Sequence, residues 1–156
     1  MKIIIIGDGK VGHTLMKELS QEGHDIVIVD NNIEVVENSL NTYDIMAIRG
    51  NGASYHVLKQ AEADEADMLI AATSSDEINM LSCLVAKKLG TKRTVARVRN
   101  PEYSEQLFIM RGELGLNMSI NPEYTAAKEI SRVLRFPSAQ KIETFSRGRV
   151  ELIQMS

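Results

Sequence analysis

An unbroken apolar run, Ile3-Ile4-Ile5-Ile6, leads directly into Gly7-Asp8-Gly9-Lys10-Val11-Gly12, and a second run, Ile26-Val27-Ile28-Val29, ends on Asp30. Strand, glycine turn, helix, strand and acid in this order and spacing describe a dinucleotide-binding βαβ unit. Each residue type has a physical task in such a unit. Gly7 permits the tight turn, Gly9 lets the backbone approach a pyrophosphate, and Gly12 lets the helix pack closely on the strand. Phosphates placed there would meet the unpaired N–H groups and the partial positive charge of the helix start at Lys10 and Val11. Asp30 would accept hydrogen bonds from a ribose hydroxyl and repel a 2'-phosphate, which favours NAD or an adenine nucleotide over NADP. The alternative is a glycine turn used only for packing; the flanking strands and the acid argue against it.

At 156 residues the chain is long enough for one complete core but too short for a nucleotide domain plus a full substrate domain, which argues against a self-contained dehydrogenase. A composition of 44% hydrophobic and 25% charged residues with a net charge of -3 is that of an ordinary globular protein and gives no sign of nucleic acid or anionic membrane as a partner. No apolar segment approaches the roughly 20 residues needed to span a bilayer, and the N-terminus enters a strand instead of a signal peptide, so the expected compartment is the cytoplasm. The single Cys83 has no partner for an internal disulfide and reads as a small buried residue. His13, His24 and His56 are scattered, and no metal-ligand cluster is expected.

Strand-like and helix-like patterns alternate along the chain, which predicts an α/β fold with a parallel sheet covered on both faces. Strands are expected at 2–6, 25–29, 44–48, 67–72, 93–98 and 117–120, and the economical arrangement is the doubly wound, Rossmann-like order 3-2-1-4-5-6. The helix expected from Asp76 to Leu89 carries Ile78, Met80, Leu81, Cys83, Leu84 and Val85, leaving little polar circumference; the next adds Tyr103, Leu107, Met110 and Leu114, with Phe108 and Ile109 outside that stripe. These surplus apolar faces read as a protein–protein interface, the alternative being cover by loops of the same domain. A further helix from Pro122 stops at Phe136-Pro137, and two strand-like segments, 141–145 and 150–155, resemble a hairpin that continues into, or pairs with, something larger.

Among the loops, Thr73 and Ser74 are placed to touch ribose or phosphate, while Ser75 or Asp76 caps the following helix. Gly50-Asn51-Gly52 either passes beside an adenine or is only a turn. Arg97 and Arg99 alternate near the end of the fifth strand, and one of the two is expected to serve a bound anion. Tyr55/Lys59 and Tyr124/Lys128 have the Tyr-x-x-x-Lys spacing of short-chain dehydrogenases. Chance accounts for both, because the first comes too early in the fold and the second lacks a placed serine.

Taken together, GDGKVG, the VD ending strand two, GNGAS after strand three, ADMLIAATSSDEINML and ARVRNPEY resemble the N-terminal nucleotide-binding domain, also called RCK or KTN, of TrkA-type regulatory subunits of potassium uptake systems. The resemblance covers residues 1–135, with 136–156 as a linker and the start of a truncated C-terminal domain. It implies regulation, with no catalytic residues. A cytosolic subunit binds NAD or NADH, or alternatively ATP or ADP, assembles as a homodimer or ring of dimers, and gates a Trk/Ktr-type transporter through a membrane potassium-translocating subunit of the TrkH, TrkG or KtrB kind, lying at the inner face of the membrane. Carried over by position, the nucleotide contacts are Gly7, Asp8, Gly9, Lys10, Val11 and Gly12 of the loop, Asp30, Asn51, Thr73, Ser74 and Arg97.

Two departures stand out from the family pattern. Asp8 replaces a small residue, and a carboxylate beside a pyrophosphate should weaken binding unless Lys10, a cation or an N–H group offsets it. Asn51 stands where many relatives carry Asp. The alternative functions are a small NAD-dependent oxidoreductase, or the RCK-type regulatory domain of another potassium channel or exporter.

Overall fold

Successive residues of β1 (Lys2–Ile6) point to opposite faces of a sheet, and here both faces are dry: Ile3, Ile4, Ile5 and Ile6 are all essentially inaccessible. A strand apolar on every residue needs cover on both sides, and that demand sets the architecture. In the computed structural model, residues 1–135, 139–145 and 150–155 are described, together with the side chains of most of them, and they fall into two compact units, Met1–Ile120 and Asn121–Ser156.

The first unit runs β1, α1 (Lys10–Gln21), β2 (Asp25–Asp30), α2 (Ile33–Thr42), β3 (Met46–Arg49), α3 (Tyr55–Gln60), β4 (Met68–Ala71), α4 (Asp76–Leu89), β5 (Arg93–Arg97), α5 (Pro101–Met110) and β6 (Met118–Ile120). Its six strands form a parallel sheet in the order β3-β2-β1-β4-β5-β6, as the sequence predicts. On one face Ile4, Ile6, Val27, Val29 and Leu69 pack with Leu58, Cys83, Ala86 and Leu107. On the other Ile3, Ile5, Ile26, Ile28 and Ile70 pack with Met16, Leu15 and Leu19. After β1 the chain moves outward through β2 and β3, then returns to β4 and moves outward the other way. The carboxyl ends of β1 and β4 therefore part around a crevice, the usual ligand position in a sheet of this kind.

Local chemistry fixes the boundaries. Asn32, Ser75 and Asn100 cap α2, α4 and α5 by accepting the N–H groups of Glu34, Ile78 and Glu102, and Pro101 occupies the first turn of α5. Gly90, at φ +128°, ends α4. β3 starts two residues later than the apolar pattern suggests, because Tyr43 closes α2 and the Ile45 N–H bonds back to its carbonyl before pairing with β2 begins at Met46. The six-residue α3 is too short to show a helical period in the sequence. Cys83 is buried, its thiol against the Val95 carbonyl at 3.5 Å, and burial pushes its pKa up to about 12, so it is a packing residue.

In the second unit α6 (Pro122–Arg135) starts at Asn121, whose side chain accepts the Tyr124 N–H at 2.9 Å. Tyr124, Ile130, Val133 and Leu134 are exposed. The expected hairpin is present, β7 (Ala139–Phe145) pairing antiparallel with β8 (Val150–Met155). The helix stop expected at Phe136-Pro137, the turn at 146–149 and the side chain of Phe108 lie outside the described residues.

A Cβ built on Gly12 would lie 1.8 Å from the carbonyl oxygen of Gly7, a backbone atom that cannot rotate aside. Gly12→Ala should therefore destabilise the chain by about 2 kcal/mol or more, read as a lowered midpoint in urea denaturation.

Candidate functional site

The crevice is a cleft of about 660 Å³ open to solvent. Its near wall is the glycine loop, with Gly7, Gly9, Lys10 and Val11; one side is Asp30, Asn31 and the loop Gly50, Asn51, Gly52; the other is Thr73, Ser74, Ser75, Ile78 and Arg97. Three loops at the carboxyl edge of one sheet thus bring together residues far apart in the sequence.

Gly7 adopts φ +91°, a left-handed conformation that turns the chain off β1, and a Cβ there would meet the Thr73 backbone at 2.9 Å. Gly9 is different. Its φ is -74°, open to any residue, and a Cβ on it would meet no protein atom within 4 Å. Gly9 is also the N-cap of α1 and has no side chain to cap it, whereas α2, α4 and α5 are capped by side chains. The start of α1 therefore presents uncapped backbone amides at the cleft.

Asp30 is half-buried at the end of β2, and both carboxylate oxygens are already engaged: Oδ2 accepts the Asp8 N–H and Oδ1 the Asn32 N–H, each at 2.8 Å. Each oxygen keeps a further lone pair for a ligand hydroxyl. The Asn51 side chain accepts the Ala53 N–H at 3.0 Å and so shapes its own loop at the cleft edge. Gly52 of the same loop packs on β1, where a Cβ would meet Ile6 Cγ2 at 1.9 Å.

The structure corrects the expectation for Asp8. Its side chain turns away from the cleft to a position 1% exposed, where it accepts the Ser39 hydroxyl and lies 3.2 Å from His13 Nδ1; only its backbone N–H faces Asp30. The carboxylate is not among the groups lining the cleft, because the turn at Gly7 directs it under the loop toward α2. The Tyr43 hydroxyl follows at 3.4 Å from His13 Nε2, with the two rings edge to face. Gly12 also stands behind the cleft, as a packing position.

The two arginines divide. Arg97 lines the cleft, with Nη1 3.4 Å from the Thr73 carbonyl. Arg99 turns to Asp76, with Nε 3.6 Å from Oδ1, and also bonds the Ser74 carbonyl. Asp76 does more than begin a helix: Ser75 is the cap, while Asp76 Oδ2 accepts the N–H groups of Arg99 and Asn100, each at 2.8 Å, tying α4 to the loop after β5. The residue that sequence reading missed is Asn79. It is fully buried and bonded to Thr73 and Arg97. The signal was available, since residues 76, 79, 83 and 86 share the buried face of α4 and an asparagine there must find partners.

Lys59 of the first Tyr-x-x-x-Lys string is held by Asp64 at 2.8 Å and its Tyr55 is exposed, so that string is not poised at the cleft; Tyr124 of the second string is exposed on α6. Among the described residues, no group of three metal-ligating side chains occurs, and no helix is long and apolar enough to cross a membrane.

A second concavity of about 270 Å³ lies between α4 and α5, lined by Met80, Leu81, Leu84, Leu107, Met110 and Leu114. At its rim the Tyr103 hydroxyl donates to Glu77 Oε1 at 2.6 Å and Ser75 Oγ donates to Oε2 at 2.8 Å. The Tyr103 bond, then the Glu77 amide and Ser75, lower the Glu77 pKa to about 2.

The family model described as the TrkA-N domain matches residues 3–122. The Trk system potassium uptake protein TrkA homolog of Archaeoglobus fulgidus is 38% identical over 155 residues, which is 99% of this chain and 35% of that protein. The Trk system potassium uptake protein TrkA of Vibrio alginolyticus is 38% identical over 156 residues, 98% of this chain and 34% of that protein. The chain therefore spans about a third of the length of these relatives. Among solved structures, the GsuK channel bound to NAD superimposes with a TM-score of 0.65 at 25% identity, over 76% of this chain and 21% of that one.

Removing either partner of the buried Asp8–Ser39 bond leaves the other unsatisfied. Asp8→Ala and Ser39→Ala should each cost about 1–3 kcal/mol in urea denaturation, and the double variant less than their sum. Because the folded-state pKa of Glu77 is depressed from 4.5 to about 2, its contribution is present above pH 4.5 and lost as pH falls toward 2. Glu77→Gln should accordingly flatten the acid side of the stability–pH curve, measured by thermal melts across that range.

Proposed function

Because the chain belongs to the TrkA-N domain family, we propose that its cleft binds NAD(H) or an adenine nucleotide and that it is the nucleotide-sensing part of a cytosolic regulatory subunit acting on a Trk- or Ktr-type potassium transporter. The observation that carries the binding proposal is Gly9. Neither its backbone angle nor any neighbouring atom calls for glycine, so the open space is best explained by a ligand that needs the backbone close. In this reading the phosphates lie against Gly7, Gly9, Lys10 and Val11, with Gly12 and the buried Asp8 setting the loop from behind. Asp30 accepts the ribose hydroxyls. Asn51, Thr73, Ser74 and Arg97 complete the walls. The GsuK channel has been solved with NAD and with ADP, which supports both ligand classes without choosing between them.

We read the chain as a binding module, not an enzyme: its relatives are named as potassium uptake proteins, and no acid–base pair is assigned to the cleft. Residues 1–135 are proposed as the nucleotide-binding domain, with 136–156 leading into a further domain. The α4–α5 groove and the exposed apolar residues of α6 are proposed as assembly surfaces for a homodimer or ring of dimers that contacts a membrane potassium-translocating subunit. A nucleotide can switch such an assembly only by binding one arrangement more tightly than another.

Calorimetric titration of nucleotide-free protein with NAD, NADH, NADP, ATP and ADP, with the size of each saturated complex measured, tests this reading. NAD(H) or adenine nucleotides should bind, NADP should not, and the assembly should change. Tight NAD(H) binding with unchanged assembly would favour an oxidoreductase. Gly9→Ala should leave the melting temperature near that of the parent while sharply reducing nucleotide affinity, and Asp30→Ala should weaken binding by about 1–3 kcal/mol.

A further inference from the structure

Asn79 touches no part of the cleft, yet every polar atom of its side chain is engaged with residues that line it. Its Oδ1 accepts both the Thr73 N–H at 2.9 Å and the Thr73 hydroxyl at 2.7 Å. Its Nδ2 donates to the Thr73 carbonyl at 3.2 Å and to the Arg97 carbonyl at 2.9 Å. The orientation of the carboxamide is chemically determined: an N–H group needs an acceptor on one side, and two carbonyls need a donor on the other. Asparagine is the residue of this size that offers both. The side chain thus ties the turn after β4 to the end of β5, the two segments that form one whole side of the cleft.

We propose that Asn79 is the positioning residue for that side, and that it determines whether a ligand extending beyond the glycine loop is held there. The inference rests on the nucleotide reading given above and adds a division of labour to it. A dinucleotide lies across the crevice of such a sheet, with the adenosine ribose read by the acid at the end of β2 and the other half beyond the phosphates. Asp30 serves the first half without help from Asn79, being fixed by the Asp8 and Asn32 amides. Thr73 and Arg97 face the second half, and their placement passes through Asn79. AMP, confined to the first half, is then indifferent to this residue, whereas NAD depends on it.

The discriminating experiment is calorimetric titration of NAD and of AMP into the 156-residue chain, its Asn79→Asp variant and, as a control, Asp30→Ala, with melting temperatures recorded for each. Asn79→Asp keeps shape and acceptor but places a second oxygen against the two carbonyls. It should lower NAD affinity by about tenfold or more and leave AMP affinity within about twofold, while Asp30→Ala lowers both. A purely structural role would lower the two ligands in parallel, and that result overturns the proposal, as does unchanged NAD affinity or a parent chain that binds AMP but not NAD. Should Asn79→Asp fail to fold, Asn79→Ser, which keeps one hydroxyl as donor and acceptor, carries the same comparison. A parent chain that binds neither ligand removes the nucleotide reading itself and this inference with it. Binding by the parent with an unselective variant removes only the inference.

Discussion

At three glycines around the carboxyl end of β1, Gly7, Gly12 and Gly52, there is room for a hydrogen atom and nothing larger. The carbonyl of Gly7 fills the space where a Cβ of Gly12 would go, the Thr73 backbone closes on Gly7, and Ile6 fills the space beside Gly52. Three connections, the turn into α1, the loop after β3 and the turn after β4, converge there because each gives up a side chain or presents backbone. The cleft geometry follows from that convergence. So does the direction of Asp8, which the left-handed turn at Gly7 sends under the loop.

Much of this was legible in the sequence, for reasons that separate cleanly. Strand order and helix positions follow from apolar periodicity and glycine spacing, which are local signals. The cleft wall residues Gly9, Asp30, Asn51, Thr73, Ser74 and Arg97 could be named because each sits at the end of a strand or within three residues beyond it, and in a parallel sheet those ends share one edge. What the sequence did not disclose were side-chain directions. Asp8 precedes a glycine that faces the cleft, and nothing local says that Ser39, thirty-one residues on, offers a hydroxyl to its carboxylate. Asp76 looked like a cap because it begins a helix; its partners Arg99 and Asn100 lie on another loop. Short β3 and α3 were blurred because their limits are set by pairing and by burial of Ala61, Ala63 and Ala66, not by strong terminal signals.

The first two turns of α4 face three environments. Ser75 and Ile78 line the cleft, Asn79 points into the core, and Glu77, Met80 and Leu81 border the apolar groove shared with α5. Ser75 also donates to Glu77, which receives the Tyr103 hydroxyl. A displacement of this segment would therefore be felt at both concavities, since close-packed elements move as units.

Asp30 has a consequence that concerns entropy more than attraction. A carboxylate at the mouth of a cleft ordinarily samples several rotamers, and a ligand that recruits it must freeze them. Here two backbone amides have already fixed both oxygens. A sugar arriving at this edge would meet an acceptor whose orientation was settled when the chain folded, so the ordering cost belongs to folding and not to recognition.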